Sequence, residues 1–515
     1  MAVTVPVVTS LLLRSARVVP LADGDEPGDP VDVLVRDGEV TAIAPVLDAV
    51  AGVEEVRCEG RWLIPGLWDQ HTHLGQWTLT RSRVDTGAVT SPEQLIAMVA
   101  EKVAELPGRP VIGFGHRPGT WTREVSVREL DDVSGITPVV LVAGDAHHAW
   151  LNSAALAALG LGARDEVVRE NEWFAAYDLL TRLTGDDETT PQAYASTLRA
   201  AASLGVTGVV DFEFSGGADD WRERWAHGCD FVRVRMATYA DGLEDVIEEG
   251  LRSGMPLVEG DDRLVMGPLK IISDGSLNTR TAWCCEPYAD GHLLEHPSGA
   301  ANLPPHELQA LLARAHMSGL EIATHAIGDA ALTAALDAYE ATWASGSIEH
   351  AQLVAPHDVP RIAHLGLRAS VQPAHLYDDR DLSELIWPGR SDRCFAFRWM
   401  LDEGVSLVLG SDAPVARLDP WLAMAAAVHR SADEREPWHP EHALTVREAL
   451  AASVGEQPAV RLASRGDLAL LDRDPLHPAG PDVDAADTRA VAAGLRDMPV
   501  SLTVVGGRVV HRDGV

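Results

Sequence analysis

Leu63-Ile64-Pro65-Gly66-Leu67-Trp68-Asp69-Gln70-His71-Thr72-His73 decides how the chain is read. An apolar run, broken once by Pro-Gly, ends in two histidines spaced i, i+2. Side chains two apart on a strand point to one face. Read as a strand, the run sends His71 and His73 out together from its end, as two ligands of one cation must be sent. A short His-x-His pattern also arises by chance, so its weight depends on what the other strand ends carry.

Working outward, the middle of the chain alternates apolar runs with Ala- and Leu-rich helical segments, the pattern of βα units around a parallel sheet. Candidate strands fall at residues 63–69, 207–213, 232–238, 269–273, 321–325, 347–350, 367–372 and 405–411, with helical patterns such as 305–318 and 330–342 between them. Eight strands with intervening helices predict a closed (β/α)8, or TIM, barrel. An open doubly wound sheet usually carries a Gly-rich phosphate loop after its first strand, and none occurs here. Residues from about 78 to 200 are too long for one crossover and hold further strand-like runs at 111–115 and 139–144. They read as an insertion over the barrel mouth. Both ends of the chain look β-rich: short runs at 15–21, 31–36 and 39–44, then 466–472 and 501–511 with Gly506-Gly507 as a hairpin turn. The expectation is an α/β chain. Residues 1–62 and 453–515 would together build a small composite β-sandwich, and residues 63–452 the barrel with its insertion.

The composition, 46% hydrophobic and 23% charged over 515 residues, is that of a globular protein. A formal net charge of -35 argues against nucleic acid or an anionic membrane as partner. The apolar start, residues 1–13, has no basic segment before it and reads as the beginning of a strand rather than a signal peptide. No uncharged run reaches bilayer-spanning length. The five cysteines, at 58, 229, 284, 285 and 394, have no metal-ligand spacing and read as reduced thiols of a cytoplasmic protein.

Active sites of such barrels form at the C-terminal ends of the strands. Those ends carry His71 and His73, Lys270, His325, His350 and Asp412. Each has an ordinary explanation by itself: a core histidine, a snorkelling lysine, a turn-capping aspartate. Six such residues at five of eight strand ends are hard to explain that way together. Imidazole and carboxylate suit Zn²⁺ and similar divalent ions. A lysine ammonium is a poor ligand, being cationic and donor-only. As a carbamate it becomes anionic and can bridge two cations. A divalent ion lowers the pKa of bound water from about 15.7 to roughly 7, and Asp412 beside that water would take its proton and pass it to a leaving group.

These residues at these strand ends resemble the amidohydrolase superfamily, and more closely the branch that includes N-substituted formamide deformylases. The likeness spans essentially the whole chain. Besides the ligand motifs it rests on residues 145–153, Ser273-Asp274-Gly275-Ser276-Leu277, Thr324-His325-Ala326-Ile327-Gly328-Asp329, Ile348-Glu349-His350-Ala351-Gln352 and residues 466–472. The resemblance implies a barrel with a composite β-sandwich. His71 and His73 become first-strand ligands, and Lys270 a carboxylated bridging ligand. His325 and His350 become ligands from the fifth and sixth strands, and Asp412 the last-strand ligand and proton shuttle. One or two Zn²⁺ or similar ions are implied. Where the branch usually has Asp-Gly-His-Ser, this chain has Asp145-Ala146-His147-His148, which bears on substrate contacts.

His147, His148 and Trp150 are the candidate substrate contacts of the insertion, with Asp274 just past Lys270. For His147 a helix-capping role stands beside the functional one, and for Asp274 a turn-capping role. The expected activity is metal-dependent hydrolysis of a C–N bond in a small non-peptide amide, an N-acyl or N-formyl amine. Two alternatives are carried: deamination or ester and lactone hydrolysis on the same scaffold, and a non-catalytic binding protein. The deaminase pattern of a glutamate shortly after a histidine is missing from His325-Ala326-Ile327-Gly328-Asp329. The partner expected is a small-molecule substrate, with a homo-oligomer left open.

Overall fold

In a computed structural model, which describes residues 10–515 apart from 23, 82, 106, 119, 120, 122, 145–147, 178, 185–188 and 215, eight strands pair in chain order. They are Leu67–Thr72 (β1), Val206–Asp211 (β2), Arg233–Thr238 (β3), Asp261–Ile272 (β4), Ile322–Ala326 (β5), Gly346–His350 (β6), Arg368–Val371 (β7) and Ser406–Leu409 (β8). Every neighbouring pair is parallel. The sheet closes where β8 returns to β1. Thr72 bridges Ala413, the Asp412 N–H donates to His71 O at 2.7 Å, and the His73 N–H donates to Ala413 O at 2.9 Å. Helices such as Pro305–Met317, Asp329–Thr342, Val359–His364 and Phe397–Asp402 return the chain between strands. The protein is therefore a (β/α)8 barrel. Its strands are buried on both faces, which is why they read as near-continuous apolar runs.

The stretch expected as one strand at 63–69 is two. Trp62–Pro65 pairs with Leu468–Leu471 in another sheet, and only Leu67–Thr72 enters the barrel. Gly66 lies between them. A Cβ at that position would lie 2.2 Å from Thr207 side-chain atoms, so the crossing needs a residue without one. The correction moves His71 inside β1 and leaves His73 one residue past its end.

The other sheet is built from both ends of the chain. Ser10–Val18, Val31–Arg36, Glu39–Ala44, Glu54–Arg57 and Trp62–Pro65 join Leu468–Leu471, Val500–Val505 and Arg508–Arg512. Alternate residues, Leu11 and Leu13, Val33 and Val35, Leu468 and Leu470, Leu502 and Val504, fill one buried core together with Leu63 and Val56. This is the composite β-sandwich.

Leu74–Thr197 forms a separate compact unit. Its sheet runs Val168–Arg169, His148–Leu151, Val139–Ala143, Val111–His116, Val84–Asp85. Trp173 and Trp150 sit in its two apolar cores. Among the described residues no helix is long and apolar enough to cross a membrane, and all five cysteines are free.

Candidate metal centre

Asp69, His71 and His73 alternate down β1 and past its end. Asp69 is buried and accepts the backbone N–H of His71 at 3.1 Å and of Ser411 at 2.9 Å. It thereby ties β1 to the segment that carries Asp412. Burial pushes its carboxyl up to about 6, against those hydrogen bonds.

His71 is 1% exposed. Its Nδ1 lies 2.8 Å from Glu349 Oε2, and Glu349 Oε1 accepts from Ser347 Oγ at 2.5 Å. An ionised carboxylate only accepts, so the imidazole proton belongs on Nδ1 and Nε2 carries the lone pair. That Nε2 lies 3.5 Å from Asp412 Oδ1 and 3.2 Å from Lys270 Nζ. His73 Nε2 lies 3.2 Å from the same Asp412 oxygen. Candidate ligand atoms of His71, His350 and Asp412 all fall within 4.8 Å of one another. The His350 ring lies 4.9 Å from that of His71 and 4.5 Å from that of His325.

His325 Nε2 faces Gly275 O at 3.2 Å and Asp274 Oδ1 at 3.3 Å. A carbonyl can only accept, so the proton sits on Nε2 and Nδ1 is the atom the ring can offer a cation. Lys270 is 3% exposed, with Nζ over the Phe212 ring at 4.2 Å. Burial pushes its ammonium down to about 8, against the pull of Glu349 and Asp412.

The charges match a cation site. Burial, with Lys270 adding to it, pushes His71 down to about 4. Burial and the neighbouring His325 and His71 hold His350 well below its usual value. Burial disfavours the Asp412 carboxylate, yet His71, His73 and His350 hold it well below the ordinary range. Glu349 behaves alike: the His71 hydrogen bond and the charges of His71 and Lys270 outweigh burial and hold it at about 2. Neutral imidazoles around ionised carboxylates are the donor set a divalent ion requires, so the residues fit such an ion.

The six residues read from the strand ends thus gather at one end of the barrel. Of the four candidate substrate contacts, Asp274 belongs to the unit that carries the barrel, and His148 and Trp150 to the Leu74–Thr197 unit. His147 lies outside the described residues. Trp150 is corrected: it is fully buried, its indole N–H donates to Ser126 O at 2.8 Å, and its ring packs in the core of the Leu74–Thr197 unit. A large ring on an inner strand serves packing there, not a ligand. His148, in the same unit, is half-buried with its ring edge-on to His116 at 6.1 Å. Asp274 is fully buried. Its oxygens accept the backbone N–H of Ile327 at 3.1 Å, Gly328 at 2.9 Å and Trp283 at 2.9 Å. It anchors the loop after β5 and orients His325, the capping role the sequence offered for it.

Several residues were not singled out by the sequence. Glu349 precedes His350, and strand alternation would send the two to opposite faces. The left-handed backbone of His350, φ 70°, turns its side chain back to the same interior. His375, on the turn Pro373–His375 after β7, lies with Nε2 3.8 Å from Asp412 Oδ2. Its only sequence signal is its place just past a strand. Phe214, 53% exposed, stacks on His73 at 4.9 Å and lies 5.3 Å from the Tyr239 ring. A cavity of about 470 Å³ opens at the opposite end of the barrel, among Arg233, Arg235, Glu321, Arg368 and Glu456, and reaches Ser347 and Glu349 from below.

The profile described as the amidohydrolase family matches residues 54–511. The chain is 30% identical over 440 residues to protein LONG AFTER FAR-RED 3 of Arabidopsis thaliana, covering 78% of this chain and 74% of that protein. It is 24% identical over 541 residues to the N-substituted formamide deformylase of Arthrobacter pascens, covering 92% and 94%. A solved structure of an uncharacterized metal-dependent hydrolase from Pyrococcus horikoshii superposes with a TM-score of 0.75 at 25% identity, over 93% of this chain and 99% of that one.

Proposed function

The chain belongs to the amidohydrolase family, and from that premise we propose that this metal-dependent hydrolase cleaves the C–N bond of a small non-peptide amide, an N-acyl or N-formyl amine. The observation that carries the reading is the convergence of His71, His350 and Asp412 within 4.8 Å, as neutral imidazoles and an ionised carboxylate. The C–N assignment draws on the likeness to the formamide deformylase. The donor set suits Zn²⁺, as one ion or two.

His71, His73 and Asp412 would hold the cation on the β1–β8 side, and His325 and His350 on the β5–β6 side. Lys270 stands between the two groups on β4. Its Nζ lies 3.2 Å from His71 Nε2, and as an ammonium it would repel a cation held by that nitrogen. As a carbamate it would be an anionic bridge, and we assign it that form. A bound divalent cation supplies Lewis acidity, polarising the acyl carbonyl and acidifying water. Asp412 takes the proton from the attacking water through its carboxylate and delivers it to the departing nitrogen, so the amine leaves neutral. Glu349 keeps the His71 proton on Nδ1 throughout. The free cysteines support a reducing compartment, and we place the enzyme in the cytoplasm.

The test is elemental analysis of the purified protein followed by a screen of N-formyl and N-acyl amines, with amine and carboxylate release measured together. Zinc at one or two equivalents with release of both products is expected. Release of ammonia without carboxylate would move the assignment to deamination, and a metal-free, inert protein would overturn it.

A further inference from the structure

Asp412 divides its two oxygens. Oδ1 faces His71 at 3.5 Å and His73 at 3.2 Å, while Oδ2 faces His375 Nε2 at 3.8 Å. The last distance is beyond hydrogen-bond reach. His375 Nε2 is buried and has no hydrogen-bond partner among the described residues. Its ring is held by stacking on His350, centroids 6.2 Å apart and planes at 23°, and by its place between β7 and the helix Leu376–Ile386. Asp379, four residues on and buried, interacts with it electrostatically. A negative oxygen on the Nε2 side favours the tautomer with the proton on Nε2. The site therefore presents an acceptor, Asp412 Oδ2, and a donor, His375 N–H, across one small space. Buried donors are nearly always paired in folded proteins, and one left unpaired at a reactive centre calls for a role.

The tetrahedral adduct of an amide supplies the matching pair: an oxygen that has become anionic and a nitrogen about to take a proton. We propose that His375 is a catalytic residue, donating from Nε2 to the acyl oxygen as that oxygen gains negative charge. Water adds to the acyl carbon, forming a C–O bond, and the carbonyl π pair moves onto the oxygen that His375 faces. The water proton goes to Asp412. The pair then returns, the C–N bond breaks, and nitrogen leaves with the proton from Asp412. His375 keeps its own proton throughout. The inference rests on the hydrolytic reading of the site.

His375→Phe keeps the stack on His350 and removes the donor, while His375→Gln keeps an N–H donor. Both are compared with wild type for kcat and KM on the best amide found, for metal content, and for binding of a tetrahedral phosphonamidate against the planar amide of the same groups. For His375→Phe the expected result is a 10²–10³-fold loss in kcat, a KM within threefold, unchanged metal content and phosphonamidate binding weakened by the same factor as kcat. His375→Gln should recover tenfold or more. Loss of metal would make His375 a ligand instead, and equal weakening of planar and tetrahedral compounds would make it a packing residue. Unchanged turnover in His375→Phe, with an active wild type, would refute the role of His375 alone. A wild type inert on every amide would refute the hydrolytic reading beneath it.

Discussion

Replacing Glu349 with glutamine tests whether the site is set by what lies behind its ligands. The carboxylate is 1% exposed, 2.8 Å from His71 Nδ1 and 2.5 Å from Ser347 Oγ. Glutamine keeps the volume and removes the charge. It can also present its NH₂ to His71, which would reverse the tautomer and turn the Nε2 lone pair into an N–H. Partners of this kind behind a metal-bound histidine are worth 10- to 100-fold in metal affinity, or about 1.4–2.7 kcal/mol. The metal-free protein should be affected as well. The Glu349 carboxyl falls from 4.5 to about 2 on folding, which corresponds to about 3 kcal/mol. Because the folded-state value is the lower one, that stability is present above 4.5 and is lost as pH falls toward 2. His71, lowered from 6.5 to about 4, loses its share in the earlier window, from 6.5 down to 4. Asp69 and Asp412 titrate across the same windows, so the readout is the difference in urea stability between metal-free wild type and Glu349→Gln: the wild-type advantage should hold above pH 4.5 and shrink as pH falls toward 2. Chelator competition gives the zinc affinity of both proteins. Wild-type zinc affinity in Glu349→Gln, with no pH-dependent difference in stability from wild type, would refute the claim that this carboxylate sets the His71 tautomer.

Asp412→Asn should retain at least one metal ion by elemental analysis while kcat falls 10²–10⁴-fold; wild-type rates would defeat the proton-shuttle role. Lys270→Ala should lower metal content and activity together, and full activity with normal metal would remove Lys270 from the site. Gly66→Ala forces a Cβ against Thr207 at 2.2 Å and should lower stability by about 1–3 kcal/mol, read as a drop in the urea midpoint. Trp150→Ala should cost about 3–5 kcal/mol with KM little changed; a large rise in KM at unchanged stability would return Trp150 to the substrate site.

The barrel was legible because strands buried on both faces leave continuous apolar runs. The composite sandwich was legible because its alternating residues recur at both ends of the chain. The sequence pattern starts the first strand too early because Leu63 and Leu67 are equally apolar. What separates them is the close approach of Gly66 to Thr207, a contact between residues 141 positions apart. Of the site, the residues at strand ends could be read, since position along one strand is local. Glu349 could not, because a residue's facing is inferred from alternation and His350 breaks it. His375 lies on a turn whose path the sequence pattern does not trace. Trp150 is ambiguous in the sequence because a tryptophan next to a histidine motif looks the same whether it lines a pocket or fills a core.

The backbone says why these ligands can stay in place. His350, Ala351 and Asp412 all adopt left-handed conformations, φ 70°, 41° and 58°, and non-glycine residues there cost on the order of 1–3 kcal/mol each. Such strain persists only where surrounding bonds over-determine it. Around Asp412 those bonds are its own N–H to His71 O at 2.7 Å, His73 N–H to Ala413 O at 2.9 Å and Ser411 N–H to Asp69 at 2.9 Å. Around His350 they are its pairing with Ala326 of β5 and the Glu349 carboxylate held by His71 and Ser347. The bonds that close β8 onto β1 are thus the same ones that hold Asp412 beside His71 and His73. A substitution that loosens this seam therefore displaces Asp412 from the two histidines.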